Sequence, residues 1–132
     1  MNTQIALEFA QPAILDHLLS LNAADLDTLE FGVIGIGIGA DTVVCAYNIF
    51  ESRMAGLSKE RVIGHPLFTV VAPCMNNYMV AQRFEDAAAA GHALDLTLDY
   101  VLTLRMRPVK VQLRLLAGPR AERRFVLVNR KL

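Results

Sequence analysis

Between residues 13 and 30, apolar side chains at Ile14, Leu15, Leu18, Leu19 and Leu21, then Leu26 and Leu29, recur at helical spacing. The spacing predicts two short amphipathic helices broken near Asn22, which together form an N-terminal helical cap. From Phe31 to Ile38 the run FGVIGIGI is β-rich and interrupted by glycine, and after Gly39, Ala40 and Asp41 a second run, TVVCAY, follows. Two such runs about a turn predict a hairpin. Past Tyr47 and Asn48 the alternation stops. IFESRMAGL, SKERVIG and HPLFTVVAPC predict short helical turns punctuated by Gly56, Gly64, Pro66 and Pro73. Ser58 is an expected N-cap, with Glu60 in the first turn where negative charge suits the helix dipole. Asn76 or Asn77 is expected to cap a longer helix through YMVAQRFEDAAAA, which Gly91 ends. Three strand-like stretches close the chain, roughly 93–104, 108–117 and 123–130, separated by Arg107-Pro108 and by Ala117-Gly118-Pro119.

Strands gathered at both ends of a helical middle predict an α+β fold, an antiparallel sheet with the helices packed on one face. The final hairpin can then close against the first, leaving a pocket between the sheet and the short helices, where small-molecule sites tend to be. With 132 residues, one core is expected. The division is a cap over 1–30 and a core over 31–132, a single domain overall.

Composition narrows the function. Hydrophobic residues are 54% of the chain and charged ones 20%, ample for a core and no case for disorder. Thirteen basic and thirteen acidic residues cancel, so no excess field collects nucleic acid or an anionic membrane. The basic cluster Arg120, Arg123, Arg124, Arg130 and Lys131 is expected to decorate the exposed face of a strand. No basic leader precedes a long apolar stretch, and no window approaches the roughly 18 apolar residues that span a bilayer, so a cytoplasmic location is expected. There Cys45 and Cys74 are free thiols. The cysteines and the histidines at 17, 65 and 92 lack metal-ligand spacing, and the glycines at 32, 35, 37 and 39 lack the pattern of a phosphate loop.

The informative segment is Tyr47 to Cys74, which sets a phenol, a carboxylate and a thiol around the predicted pocket. Tyr47 and Glu51 are four apart, so a helical turn joining them places both on one face, otherwise apolar through Ile49, Phe50, Met54 and Ala55. A glutamate held there is desolvated, which favours its protonated, hydrogen-bond-donating form. Cys74 follows Pro73, which fixes the local backbone and has no N–H to compete for the site. Singly, each residue has an ordinary reading as a core aromatic, a solvated glutamate or a small buried hydrophobe. Composition and spacing alone therefore give a globular domain with a pocket.

The stretches Leu26-Asp27-x-Leu29-x-Phe31-Gly32, Tyr47-Asn48-x-x-Glu51, Val62-Ile63-Gly64, Phe68-x-x-Val71-Ala72-Pro73-Cys74 and Met106-x-Pro108-x-Lys110-Val111 resemble the photoactive yellow protein family in order and nearly in spacing. The similarity runs from about residue 24 to the end, with no gap between Tyr47 and Cys74 and one extra residue between Cys74 and Met106. Val-Ala-Pro-Cys with the Tyr and Glu upstream is a combination that PAS domains in general do not share. The resemblance implies a PAS fold, a five-stranded antiparallel sheet with helices on one face and an N-terminal helical cap. It implies a blue-light photoreceptor for sensory transduction, not an enzyme. Cys74 would bear 4-hydroxycinnamic acid (p-coumaric acid) as a covalent thioester, with Tyr47 and protonated Glu51 donating short hydrogen bonds to its phenolate oxygen. Two donors on one buried oxygen offset the cost of a charge away from water.

Light would drive trans-to-cis isomerisation, after which Glu51 could give up its proton and remain as a buried carboxylate that loosens the surrounding helices. The implied chromophore-binding set is Tyr47, Glu51, Ala55, Leu57, Phe68, Tyr100 and Met106, the last resembling the methionine linked to thermal recovery. Ala55 stands where the family commonly has a hydroxyl residue and Leu57 where an arginine often covers the pocket. With Ala55 and Leu57 at those positions, absorption maximum and recovery rate are expected to differ from those of the better-known members. Leu102 and Leu104 also stand in the region of an aromatic on the strand facing the chromophore, while Tyr100 and Met106 remain. Expected partners are the small-molecule chromophore, a downstream signalling protein and, in a weak homodimer, a second copy of the chain. The rival expectation is a non-photoactive PAS module for ligand binding or dimerisation. Nucleophilic catalysis by Cys74 is disfavoured, since no histidine stands in sequence context to activate it, His65 being the candidate to check in space.

Overall fold

The computed structural model describes residues 7–103, 107–119 and 123–131. The cap is two helices, α1 (Ile14–Ser20) and α2 (Ala23–Leu26). Asn22 divides them: its side chain accepts from the Asp25 N–H while the Asp25 carboxylate accepts from the Asn22 N–H. That reciprocal cap satisfies two donors that the start of a helix leaves unpaired.

Five strands follow the expected pattern: β1 (Gly32–Ile36), β2 (Val44–Tyr47), β3 (Leu94–Leu102), β4 (Val109–Ala117) and β5 (Arg124–Asn129). They form one sheet in the order β2-β1-β5-β4-β3, every pair antiparallel. The last strand closes on the first hairpin in a register running from Gly32 opposite Val128 to Ile36 opposite Arg124. Between the hairpins lie α3 (Ile49–Ala55), α4 (Lys59–Val62), a wide π turn at Leu67–Val71, a 3-10 turn at Pro73–Met75, and α5 (Ala81–Ala90).

Two caps differ from expectation. Ser58 precedes α4 but its side chain makes no capping bond. The long helix starts at Ala81 and not near Tyr78, because the Asn77 side-chain oxygen accepts from the N–H groups of Met79 and Val80 and is spent on the turn before it. Gly91 ends α5 as expected, at a φ of 66° that a side chain disfavours.

Strand alternation sorts the core into two halves. On β5, Val126 and Val128 face the helices with Leu113 and Leu115 of β4 and Ile34 and Ile36 of β1. Phe125 and Leu127 face the cap, packed with Ile14, Leu18, Leu26 and Leu29. The second layer is also fastened by polar contacts. Arg114, 6% exposed, donates Nε and Nη2 to the Asp95 carboxylate at 2.8 and 2.7 Å, and Nη1 to the Phe9 and Gln11 carbonyls at 2.9 and 2.8 Å. One guanidinium thus ties the start of the cap to two strands. No helix among the described residues is long and apolar enough to cross a membrane.

Candidate functional site

The site begins with an irregularity in the first hairpin. Ile34 pairs with Tyr47 and Gly35 with Ala46, but Ile36 pairs with Val44, so Cys45 is an extra residue in β2. Such a bulge resets the alternation. Val44 and Tyr47 both join the core half under the helices, although three residues apart, and Cys45 is left exposed. Partial desolvation pushes its thiol up from the ordinary pKa, with nearby Arg123 opposing.

Asn48 turns the chain from β2 into α3. Its side-chain oxygen accepts from the N–H groups of Glu51 (3.2 Å) and Val33 (2.9 Å), and its amide donates to the carbonyls of Leu26 (3.0 Å) and Phe31 (2.9 Å). One buried side chain therefore caps α3, extends β1 and holds the end of the cap. Asp27 adds a second tie, accepting from the Ile49 N–H at 2.7 Å and from Lys59 Nζ at 2.8 Å.

Glu51 lies in the first turn of α3 and is 2% exposed. Gly32 makes the room: a Cβ there would collide with Glu51 Oε1 and stand 3.1 Å from Val128 Cβ. Glu51 Oε2 accepts from Arg130 Nη2 at 2.7 Å, whereas Glu51 Oε1 and Arg130 Nε are buried without a partner. Burial pushes the Glu51 carboxyl up from its ordinary range, and the Arg130 hydrogen bond and charge pull it back. Burial, and secondarily the Glu51 charge, push the Tyr47 phenol up as well, so it stays a hydroxyl donor. Tyr47 and Glu51 are thus electrostatic neighbours. They do not share a helix face: Tyr47 ends a strand, Asn48 is the cap, and the helix begins at Ile49.

Cys74 sits in the 3-10 turn after Pro73, a free and half-buried thiol packed against the same core half as Tyr47. Its carbonyl is held from two sides. Tyr100 of β3 donates its hydroxyl to Cys74 O at 2.6 Å, and Asn77 Nδ2 donates to Tyr100 Oη at 2.6 Å and to Cys74 O at 3.2 Å. Phe68 of the π turn belongs to this core half, its ring tilted against Phe84 with centroids 6.1 Å apart. Leu57 packs half-buried against it, and Ala55 is buried at the end of α3.

The structure therefore gathers Tyr47, Leu57, Phe68, Cys74 and Tyr100 on one core half, with Glu51 beside Tyr47. Met106 and Leu104 lie outside the described residues. Met54 leaves the expected apolar face and is 53% exposed. His65 is exposed as well. No group of three or more His, Cys, Asp or Glu among the described residues could hold a metal ion. Arg130 corrects the expected solvent-facing basic cluster, since its side chain is only 8% exposed. Arg124 corrects it too, donating to the Gly37 and Gly39 carbonyls and lying over the Phe84 ring. Period-two counting would have found both, because residues 124 and 130 share parity with Val126 and Val128.

No family model matches the chain. A solved relative decides the family: the photoactive yellow protein domain of the sensor histidine kinase Ppr from Rhodospirillum centenum superposes with a TM-score of 0.75 and 35% identity, over 88% of this chain and 96% of that domain. The chain belongs to the photoactive yellow protein family. Photoactive yellow protein from Rhodothalassium salexigens is 28% identical over 124 residues, 94% of this chain and 97% of the relative. The fold is correspondingly a PAS fold, and the family relationship gives the chain a PAS photoreceptor-like character. More distant structures share the fold alone. A LOV protein of Rhodobacter sphaeroides is 19% identical with a TM-score of 0.58, over 81% of this chain and 62% of that one. The RpfR quorum-sensing receptor PAS domain of Cronobacter turicensis, solved in complex with BDSF, is 11% identical with a TM-score of 0.58, over 79% of this chain and 96% of that one.

Proposed function

We propose that this chain is a blue-light photoreceptor carrying 4-hydroxycinnamic acid as a covalent thioester on Cys74, signalling through trans-cis isomerisation and proton transfer. The observation that carries the reading is the pairing of a free, half-buried thiol with a buried Tyr47 and Glu51 on the helix side of one sheet. The residues fit such a group, because Glu51 Oε1 is buried without a partner and the Tyr47 phenol is kept in its donor form. When bound, the chromophore supplies a double bond that isomerises under light and a phenolic oxygen that ionises.

The chain's own residues do the rest. Cys74 Sγ provides the attachment, and the Tyr100 and Asn77 contacts to its carbonyl keep that turn from rotating freely. Tyr47 and Glu51 would donate to the phenolic oxygen, while Ala55, Leu57, Phe68 and Tyr100 would border the bound group and exclude water; Met106, assigned with them, lies outside the described residues. Leu57, apolar where the family often has arginine, makes the cover hydrophobic. Asn48 then couples a change at Glu51 to the cap through Leu26 and Phe31. The downstream partner is a signalling protein that reads the cap, and the setting is cytoplasmic.

Colour tests the donors. A hydrogen bond from Tyr47 or Glu51 stabilises the ground-state phenolate more than the excited state, whose charge has moved away from that oxygen. Tyr47→Phe and Glu51→Gln, each loaded with activated hydroxycinnamate, are expected to absorb at longer wavelength than the parent. Unchanged spectra in both place the phenolic oxygen elsewhere. A colourless loaded parent would instead favour the second reading, a non-photoactive PAS ligand or dimerisation module.

A further inference from the structure

We propose that Arg130 is the built-in counter-charge of Glu51 and that the pair, not Glu51 alone, decides where the site's mobile proton sits. The arrangement arises from strand parity. Val126 and Val128 of β5 face the helices, and Arg130, two residues further on, delivers its guanidinium to the same side. The contact is 2.7 Å long between side chains 8% and 2% exposed, so solvent screens it weakly. The other groups around Glu51 do not replace it. Tyr47 approaches from β2 as a neutral phenol, β1 offers Gly32 and no ionisable side chain, and Asp27 and Lys59 pair with each other at the start of α3.

A carboxylate this desolvated would take up a proton if it stood alone. Beside a guanidinium it can remain ionised, and Arg130 is what would keep Glu51 a carboxylate in the empty protein. The bond is single: Oε1 and Nε are both buried and unused. A ligand oxygen that donates when neutral and accepts when anionic complements both free positions.

Exchange of that proton with a bound chromophore rests on the photoreceptor reading. On loading, the phenolic O–H bond breaks and an O–H bond forms on Glu51, so the negative charge passes to the ligand oxygen while the cation stays. Proton return after light re-forms the carboxylate next to Arg130. The signalling charge is thus not stranded, as the sequence alone implied, but received by a partner already in place.

The test uses the chromophore-free full chain first. The Glu51 side-chain carboxyl is titrated by carbon-13 NMR in the parent, R130Q and R130K, with the Arg130 Nε–H followed in the parent. R130Q is expected to move the Glu51 midpoint upward by about one pH unit or more, the effect of losing an adjacent opposite charge, and R130K to recover part of it. The Arg130 signal should report the Glu51 midpoint. An unchanged or lower midpoint in R130Q, or a parent Arg130 signal blind to the Glu51 titration, overturns the proposal, and the parent measurement decides even if R130Q does not fold. In loaded protein, R130Q should lose phenolate colour on acidification at higher pH than the parent, and an identical midpoint overturns the role in the loaded state. Failure to load at all would overturn the photoreceptor reading while the empty-protein titration still judges the pair.

Discussion

Asn48→Ala is expected to lower folding stability by about 3–5 kcal/mol, read as a fall in the urea midpoint of the empty protein with the slope unchanged. The side chain serves four buried backbone groups, the N–H of Val33 and Glu51 and the carbonyls of Leu26 and Phe31. An orphaned buried polar group costs about 1–3 kcal/mol, and water entering the small cavity recovers part of the sum. That loss is a large share of the roughly 5–15 kcal/mol that holds a typical domain together. Asp27→Asn is the useful contrast. Its carboxylate serves one backbone N–H and a partly exposed Lys59, so its loss should be on the order of 1 kcal/mol. Equal losses in the two variants would mean that Asn48 is not the junction of cap, β1 and α3.

Cys74→Ser is expected to abolish covalent loading by an activated hydroxycinnamate, and Cys45→Ser to leave it intact. Both thiols are free, so chemistry alone does not choose between them. Position does. Cys74 is half-buried against the core half that holds Tyr47, on a turn fixed by Pro73 and by two bonds to its own carbonyl. Cys45 is the exposed residue of a bulge, its thiol pushed up and so poorer in thiolate. Intact-protein mass spectrometry reads the result as one added acyl group or none. A full mass shift in the Cys74→Ser protein would rule out Cys74 as the attachment site.

The elements were legible because each rests on local chemistry. The Asn22 break, the hairpin after Phe31 and the stop at Gly91 come from a capping side chain, alternation and a positive φ. That Tyr47 and Glu51 stand close together was legible, but the geometry that brings them together was not. Tyr47 and Glu51 come together through a bulge at Cys45 followed by a helix start, not through one helical turn, and a bulge is a register event that only the partner strand reveals. The partners of Arg130 and Tyr100 were harder still. Arg130 meets Glu51 across 79 positions and Tyr100 meets Cys74 across 26, so their contacts exist only once the sheet has closed. Ser58 illustrates the converse: a favourable residue stands at the helix start, yet its side chain makes no capping bond.

The most direct measurement is the visible spectrum of the parent protein after loading with activated 4-hydroxycinnamate, recorded in darkness, under blue light and again in darkness. A visible band absent from the free acid at the same pH should appear, bleach under illumination and return in the dark, with one acyl group on Cys74 throughout. A loaded protein whose band does not form, or forms and does not respond to light, would contradict the assignment of this chain as a photoreceptor.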